Sequence, residues 1–172
     1  MSPIISGCDG PTERISAFVD RLIQATAQKH DSYLKDTTDF LNFIESAKLP
    51  KNTVLVFMDV TRLYTNIPQE EVVKTVCHAS EDFYGDKALI PTKYLREMLY
   101  TLLTENAFQF CGSNYLQTHG IAMATKMAVA FANFFMARIE KQILSQSYIK
   151  PLFWKRYIDD VFSLWKDRKS VV

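Results

Sequence analysis

The sequence has almost no net charge, because 20 lysines and arginines oppose 19 aspartates and glutamates and leave a formal charge of +1. Many nucleic-acid-binding proteins are strongly basic, since neutralising phosphates releases counterions and drives affinity. The charge balance therefore gives no support to a nucleic-acid partner. It does not exclude one either, because a site built from carboxylates lowers the net charge while basic residues gather nearby.

Cysteines and long apolar runs are also scarce. The chain has an odd number of cysteines, Cys8, Cys77 and Cys111, and they show neither CxxC spacing nor a histidine cluster beside them. This argues against a disulfide framework and against a zinc site, and it predicts an intracellular protein with reduced thiols. No charged leader precedes an apolar core and no run reaches ~20 apolar residues, so no membrane partner is expected.

No linker rich in Gly, Ser or Pro divides the 172 residues, and hydrophobic residues make up 48% of them, which predicts one packed domain. Helical periodicity and helix-start signals predict helices that begin at Thr12 and Pro68 or span 36–47, 92–105 and 125–146. The first two helices are expected to bury Ile15, Phe18, Val19, Leu22, Ile23, Phe40, Leu41 and Ile44. Strand signals predict a strand at 53–58 buried on both faces, a hairpin at 107–117 turning at 112–114, and a hairpin at 153–165.

Three aspartates stand at the ends of predicted strands. Asp59 ends the strand at 53–58, and Asp159 with Asp160 forms the tip of the last hairpin. Alone, each has an ordinary explanation, since Asp is common in turns and at strand ends. If the strand and the hairpin are neighbours in one sheet, three carboxylates meet and repel one another. Mg²⁺ relieves such repulsion, and two such ions can assist in-line phosphoryl displacement.

Three longer segments contain these aspartates or lie between them: VLVFMDVTRLYTNIP at 54–68, QTHGIAMATKMAVAFANFFM at 117–136, and YIDD at 157–160. They resemble, in this order, the first catalytic motif, the template- and nucleotide-positioning motif, and the Tyr-x-Asp-Asp box of Penelope-like retroelement reverse transcriptases. The segment PIISG at 3–7 resembles the tail of an upstream fingers motif. The resemblance covers nearly the whole chain.

The resemblance implies an α+β fold of the polymerase palm type. An antiparallel sheet with helices packed on one face is expected, in which the Asp59 strand pairs with the Asp159–Asp160 hairpin. Residues 1–172 would form a single partial reverse-transcriptase domain. Residues 1–52 would supply the end of the fingers and the helices leading into the palm, and residues 53–172 would supply the palm. The fingers are expected to be incomplete and the thumb absent.

The resemblance also implies a metal site. Asp59, Asp159 and Asp160 would be the catalytic residues, and together with the Val60 carbonyl they would bind Mg²⁺, with Mn²⁺ as a possible substitute. Asp59 and Asp159 would be the main metal ligands, and Asp160 a less direct third acid.

Nucleotide and nucleic-acid contacts follow from the same comparison. Tyr64 would lie under the incoming sugar as a steric gate against its 2′-hydroxyl, although a packed aromatic between strand and helix is an alternative. Gly120, Met123 and Ala124 would line the nucleotide pocket. A further three residues are candidates for contacts with nucleic acid, the first two by charge alone: Lys126, Arg156 and Tyr157.

The sequence departs from the family pattern at three positions of the second motif. Ile121, Ala124 and Val129 stand where the family usually has Thr, Gly and Pro. The change at Ala124 matters most if that position has a positive φ, because a Cβ is penalised there.

The implied function is RNA-directed DNA polymerisation, with an RNA template, a DNA primer and deoxynucleoside triphosphates as partners, and action on chromosomal DNA would require the nucleus. The oligomeric state is left open. A first alternative is an inactive or host-adopted fragment that binds nucleic acid or protein. A second alternative is an unrelated α/β domain, which predicts that Asp59 and the Asp159–Asp160 turn lie on unrelated surfaces.

Overall fold

The structure, a computed structural model, describes residues 10–167, so the expected fingers segment at 3–7 lies outside the described residues. Helices and strands alternate along the chain. The helices are α1 Glu13–Ala27, α2 Thr37–Ser46, α3 Leu63–Asn66, α4 Gln69–Tyr84, α5 Thr92–Thr104 and α6 Ala128–Gln146, with a 3₁₀ turn at Gly85–Lys87. The strands are β1 Thr53–Asp59, β2 Ala107–Phe110, β3 Ser113–Leu116, β4 Phe153–Tyr157 and β5 Asp160–Lys166. None of the described helices is both long and apolar enough to cross a bilayer.

The strands form two antiparallel sheets, which confirms the α+β class. One sheet has the order β1-β5-β4, and the other is the β2-β3 hairpin. As predicted, β1 pairs with the last hairpin, in a register that runs from Thr53 opposite Lys166 to Asp59 opposite Asp160. The β2-β3 turn was predicted at 112–114 but lies at Cys111 and Gly112. Both have a positive φ, as a two-residue type I′ turn requires.

The main core lies between the longer helices. Buried side chains of α1, α4, α5 and α6 form one cluster, which includes Val19, Val76, Leu99 and Phe131. Two of the residues predicted to be buried in α1, Ile15 and Phe18, are instead exposed. The buried stripe of α1 follows a neighbouring line of positions, Ser16, Val19, Ile23, Thr26 and Ala27, because that line meets the other helices of the cluster.

Helices contact both faces of the three-stranded sheet, so the expectation that they pack on one face is wrong. On one face, the Arg156 side chain of β4 donates a hydrogen bond to Glu140 of α6. On the other, Phe40 of α2 meets Phe162 of β5, with ring centroids 5.0 Å apart. Neighbouring side chains of a strand point to opposite faces of the sheet. Phe162 pairs with Lys155, the residue next to Arg156, so Phe162 and Arg156 lie on opposite faces. Helix α2 covers the part of this second face that carries Phe153 and Phe162.

Strand β1 is exposed rather than buried on both faces, which corrects a further prediction. Phe57 is 68% exposed and Leu55 is 52% exposed. The reason is that β1 pairs only with β5 and forms an edge of the sheet, beyond most of the cover that α2 and α6 give to β4 and β5. Leu41 of α2, also predicted to be buried, is exposed because it lies away from the face that carries Phe40.

Candidate active site

The three aspartates lie at one end of the β1-β5 pair. Asp59 is the last residue of β1 and Asp160 is the first of β5, and the two are direct register partners. The backbone N–H of Val60 donates to the Asp159 carbonyl at 3.1 Å, which holds the turn against the end of β1. Side chains directly opposite in an antiparallel pair have Cβ atoms about 5 Å apart. The alternative that these acids lie on unrelated surfaces is therefore wrong.

The turn between β4 and β5 is constrained. Ile158 has a φ of +54°, a left-handed conformation that a β-branched residue rarely adopts. Its side chain packs against the helical core, and its carbonyl accepts a hydrogen bond from Arg156 Nη1 at 3.1 Å. Tyr157 and Asp160 then pair across the turn. These contacts fix the path of the chain at Asp159 and Asp160.

The expected metal ligands form a facing pair with a third acid beside it. Within residues 10–167, no group of three or more His, Cys, Asp or Glu side chains is arranged to hold a metal ion. The register pairs Asp160 with Asp59, and Asp159 lies one residue earlier in the turn. Which of these carboxylates reach a metal stays a prediction. Mg²⁺ commonly takes only one or two protein carboxylates and completes its shell with water and substrate phosphates. The Asp59–Asp160 pair supplies that number of carboxylates.

Tyr64 lies in the short helix α3, close enough to Asp159 for the two side chains to interact electrostatically. It is only 9% exposed and belongs to the core cluster, as the packed alternative predicted. Burial raises the pKa of the Tyr64 phenol, and the nearby Asp159 carboxylate and Tyr157 add to that rise. The ring is therefore packed, while its hydroxyl remains within electrostatic reach of the acidic turn.

Gly120 joins the second motif to the first. Its φ is +67°, and a Cβ built on it would lie 2.7 Å from the Tyr64 carbonyl oxygen and 2.7 Å from the Thr65 Cα. The next residue, Ile121, donates its N–H to that Tyr64 carbonyl at 2.8 Å, and Gln69 Nε2 donates to the Gly120 carbonyl at 2.9 Å. The absence of a side chain at Gly120 therefore lets the loop dock on α3.

The two other predicted nucleotide contacts, Met123 and Ala124, are exposed on the same loop. The structure assigns a positive φ to four non-glycine residues among those it describes, and Ala124 is not one of them. Ala124 therefore carries no strain from a positive φ. The loop closes as a turn in which the Thr125 hydroxyl donates to the Ala122 carbonyl at 3.0 Å, and α6 starts at Ala128, three residues later than predicted.

The predicted nucleic-acid contacts differ in exposure. Tyr157 is half exposed and pairs with Asp160, whereas Lys126 is exposed and lies near Asp20 of α1. Burial raises the pKa of Asp20, and the Lys126 charge opposes part of that rise. Arg156 is 0% exposed, and its guanidinium bonds to groups within the protein. Its burial contradicts the prediction that it contacts nucleic acid, which was based on charge alone.

A cavity of about 670 Å³ lies between α2 and the sheet and reaches the acidic pair. Sequence reasoning did not find it, because its lining comes from three separate parts of the chain. One wall of the cavity, helix α2, does have a sequence signal, because Asp36 is a residue type that often caps helices. Its side chain accepts a hydrogen bond from the Asp39 N–H at 2.9 Å. The lining includes Asp36, Thr37, Phe40, Phe57, Asp59, Tyr157, Asp160 and Phe162.

No protein-family model and no curated protein matches the chain. Solved telomerase structures do match its fold. Apo telomerase from Candida tropicalis, truncated from its C-terminal domain, aligns with a TM-score of 0.65 at 12% identity over 91% of this chain. The apo enzyme from the same organism gives a TM-score of 0.61 at 11% identity over 94% of this chain.

Telomerase from Candida albicans, in a complex with the TWJ fragment of telomeric RNA, gives a TM-score of 0.61 at 10% identity over 92% of this chain. The chain spans about a third of the length of these telomerase chains, with coverage of 34%, 31% and 30%. The similarity shows that this chain shares the fold of part of these telomerase structures.

Proposed function

We propose that this chain is the palm of an RNA-directed DNA polymerase of the Penelope-like kind, with the palm formed by residues 53–172. The observation that carries the proposal is the register of β1 and β5, in which the acid of the first motif, Asp59, stands opposite Asp160 of the Tyr-x-Asp-Asp segment. The order of the three motifs and the telomerase-like fold support the same family of reactions.

In the proposed reaction, the 3′-hydroxyl of a DNA primer attacks the α-phosphorus of a deoxynucleoside triphosphate. The new bond joins the primer oxygen to phosphorus, the bond to the bridging oxygen breaks, pyrophosphate leaves, and the hydroxyl proton passes to water. Asp59 and Asp159 would be the main ligands of Mg²⁺, with Asp160 and the Val60 carbonyl beside them. The metal would supply activation of the hydroxyl and charge stabilisation at the leaving oxygen.

Other residues of the site would bind the nucleotide and the template. Tyr64, fixed by the Gly120 contact, would limit space at the 2′-position of the sugar. Met123 and Ala124 are exposed on the docked loop and would meet the nucleotide, while Tyr157 and Lys126 would contact the RNA template or the primer. Action on chromosomal DNA would take the protein to the nucleus.

A second candidate function is an inactive module that binds nucleic acid or protein. Two observations favour it: within the described residues no three acids form a metal-binding group, and β1 leaves Leu55 and Phe57 exposed. Exposed apolar surface of this kind often marks an interface. This candidate predicts binding without nucleotide addition.

Primer extension on an RNA template tests the first proposal. The full chain is assayed with Mg²⁺ and then Mn²⁺, alongside Asp59→Asn, Asp160→Asn and the control Asp82→Asn. Asp82 is an exposed aspartate in the last turn of α4, so its substitution removes the same charge elsewhere. We expect Asp59→Asn to lower extension by at least ~10³-fold, because it removes a ligand that stabilises the developing charge, and Asp82→Asn to leave extension unchanged.

Mn²⁺ binding, followed by the paramagnetic signal of the free ion, separates the two candidates. Extension that is lost together with Mn²⁺ binding in both site variants supports the polymerase. If the wild-type chain binds RNA but neither extends a primer nor binds Mn²⁺ differently from Asp59→Asn, the polymerase proposal is wrong and the binding module remains.

A further inference from the structure

Arg156 is completely buried next to the acidic turn, although arginine is almost never buried unless it is paired. Its Nε donates to Glu140 Oε1 at 2.8 Å, and Glu140 itself is only 4% exposed. Its Nη1 donates to Asn133 Oδ1 at 2.7 Å and to the Ile158 carbonyl at 3.1 Å. The guanidinium thus joins α6 to the turn that carries Asp159 and Asp160.

The partners of this arginine are themselves held in place. Glu140 also accepts hydrogen bonds from Ser32 Oγ at 2.6 Å and from Trp154 Nε1 at 2.9 Å. The backbone of Arg156 is clamped by the segment after α1, since its N–H donates to the Ser32 carbonyl at 2.6 Å and its carbonyl accepts from the Leu34 N–H at 2.9 Å. Side chain and backbone of Arg156 are therefore both fixed.

Stability alone is a poor explanation for this ion pair. Removing two charges from water is costly, and well-packed apolar residues of similar volume often serve a fold equally well. A guanidinium offers something that an apolar side chain cannot, which is a planar set of donors in a fixed geometry. One of these donors binds the Ile158 carbonyl in the turn, where the backbone has to be held in one conformation.

That requirement arises at Ile158, whose φ of +54° is unfavourable for a β-branched residue and persists only where surrounding contacts impose it. The residue that follows is Asp159, whose carbonyl accepts the Val60 N–H, and next comes Asp160 opposite Asp59. A change in the conformation of Ile158 would therefore move both acids of the turn relative to β1.

We propose that Arg156 is a positioning residue, which holds the Asp159–Asp160 turn in register with Asp59 through its bond to the Ile158 carbonyl. Arg156 does not touch substrate. Its influence on catalysis depends on the proposed polymerase function, whereas its control of the turn follows from the contacts described above and can be measured without any activity.

The test compares Arg156→Lys with the control Trp154→Phe. Lysine keeps the charge beside Glu140 but cannot also span Asn133 and the Ile158 carbonyl. Phenylalanine at position 154 removes one donor to Glu140 and leaves the Arg156–Ile158 bond in place. The readout is the amide hydrogen-exchange rate of Val60, whose N–H bonds to the Asp159 carbonyl, divided by that of Val76 in the buried core of α4.

We expect Arg156→Lys to raise this ratio roughly tenfold or more, as the loss of a hydrogen bond to a charged group implies, and Trp154→Phe to leave it unchanged. An unchanged ratio in Arg156→Lys, or an equal rise in both variants, would overturn the proposal because the arginine would then be merely structural. If Arg156→Lys does not fold, Asn133→Ala carries the test, since it removes the acceptor that orients Nη1. An unchanged ratio in that variant overturns the proposal as well.

Kinetics separate this inference from the proposed function. If the wild-type chain extends primers, Arg156→Lys should lower kcat and leave the KM for the nucleotide nearly unchanged, because the acids are misplaced while the nucleotide pocket is intact. A rise in KM with constant kcat would count against positioning. If the wild-type chain does not extend primers, the polymerase proposal fails, and the exchange ratio still decides the role of Arg156.

Discussion

At the scale of single residues, the acidic pair imposes a cost on the fold. Asp59 and Asp160 are direct cross-strand neighbours, and like charges in that arrangement destabilise a sheet. Next to them, Ile158 adopts an unfavourable left-handed conformation. Strain and charge repulsion often collect where a site must present groups to a ligand. Both features are what the proposed function requires of a site that a cation and phosphates would complete.

Gly120 gives a prediction at the same scale. Gly120→Ala should lower the free energy of unfolding by about 3 kcal/mol or more, because a Cβ meets the backbone of Tyr64 and Thr65 and the φ is positive. The matched control is Gly112→Ala, whose φ is +79° but whose Cβ would have no neighbour within 4 Å, so that only the conformational cost of about 1–2 kcal/mol applies. Urea denaturation followed by circular dichroism measures both. Equal losses in the two variants would contradict the docking of the loop on α3.

At the scale of elements, α2 closes one side of the cavity beside the acids. Phe40 and Phe43 of α2 pack edge-to-face against Phe162 and Phe153 of the sheet, respectively. Because α2 has no fully buried residue, these partly buried rings must supply much of its attachment. Helix α2 is therefore expected to be a weakly held wall of the cavity.

Phe40→Ala tests this expectation. We predict a loss of about 2 kcal/mol, because an aromatic side chain that is partly buried against the sheet is removed, together with faster proteolysis between α2 and β1. Leu41→Ala is the control, since Leu41 is the next residue of the same helix and is exposed. Limited proteolysis and urea denaturation give the two readouts. If the two variants behave alike, the contact between Phe40 and Phe162 does not hold α2 on the sheet.

At the scale of the whole molecule, the buried ion pair connects α1, α6 and the three-stranded sheet through the segment that follows α1. His30 lies in that segment, with its ring edge-on to Phe134 of α6 at 5.7 Å. Its Nε2 is buried and has no hydrogen-bond partner among the residues described. Burial lowers the pKa of His30, the Arg156 charge lowers it further, and Glu140 and Asp31 oppose that shift.

His30 therefore links global stability to pH. Its pKa is below 6.5 in the folded chain and near 6.5 in the unfolded chain, so the unfolded state takes up a proton first as the pH falls. The associated stability is present above about pH 6.5 and declines as the pH falls from there towards the lowered folded pKa. Urea denaturation between pH 5 and 8 measures this decline, and His30→Gln should reduce it. His78→Gln, at an exposed position, is the control, and an equal reduction in both variants would contradict the assignment.

Much of this protein could be predicted from local patterns in its sequence. Apolar periodicity and helix-start signals predicted five of the six described helices, all but the short α3. Strand-like runs next to aspartates predicted β1 and the last hairpin, because these signals depend on near neighbours along the chain. The motif resemblance supplied the pairing of β1 with β5, which local patterns do not contain. The roles of Asp59, Asp159 and Asp160 stay a prediction that the proposed assays will test.

Only the tertiary structure decided which side chains are buried and which acids face each other. Arg156 has the sequence character of a surface residue, yet Glu140, Asn133 and Ile158 enclose it. Phe57 has the character of a core residue, yet it is exposed on an edge strand. Burial depends on which elements pack together, and register depends on which strands pair. Both are long-range properties, and for that reason the sequence alone predicted the elements but not the environment of their side chains.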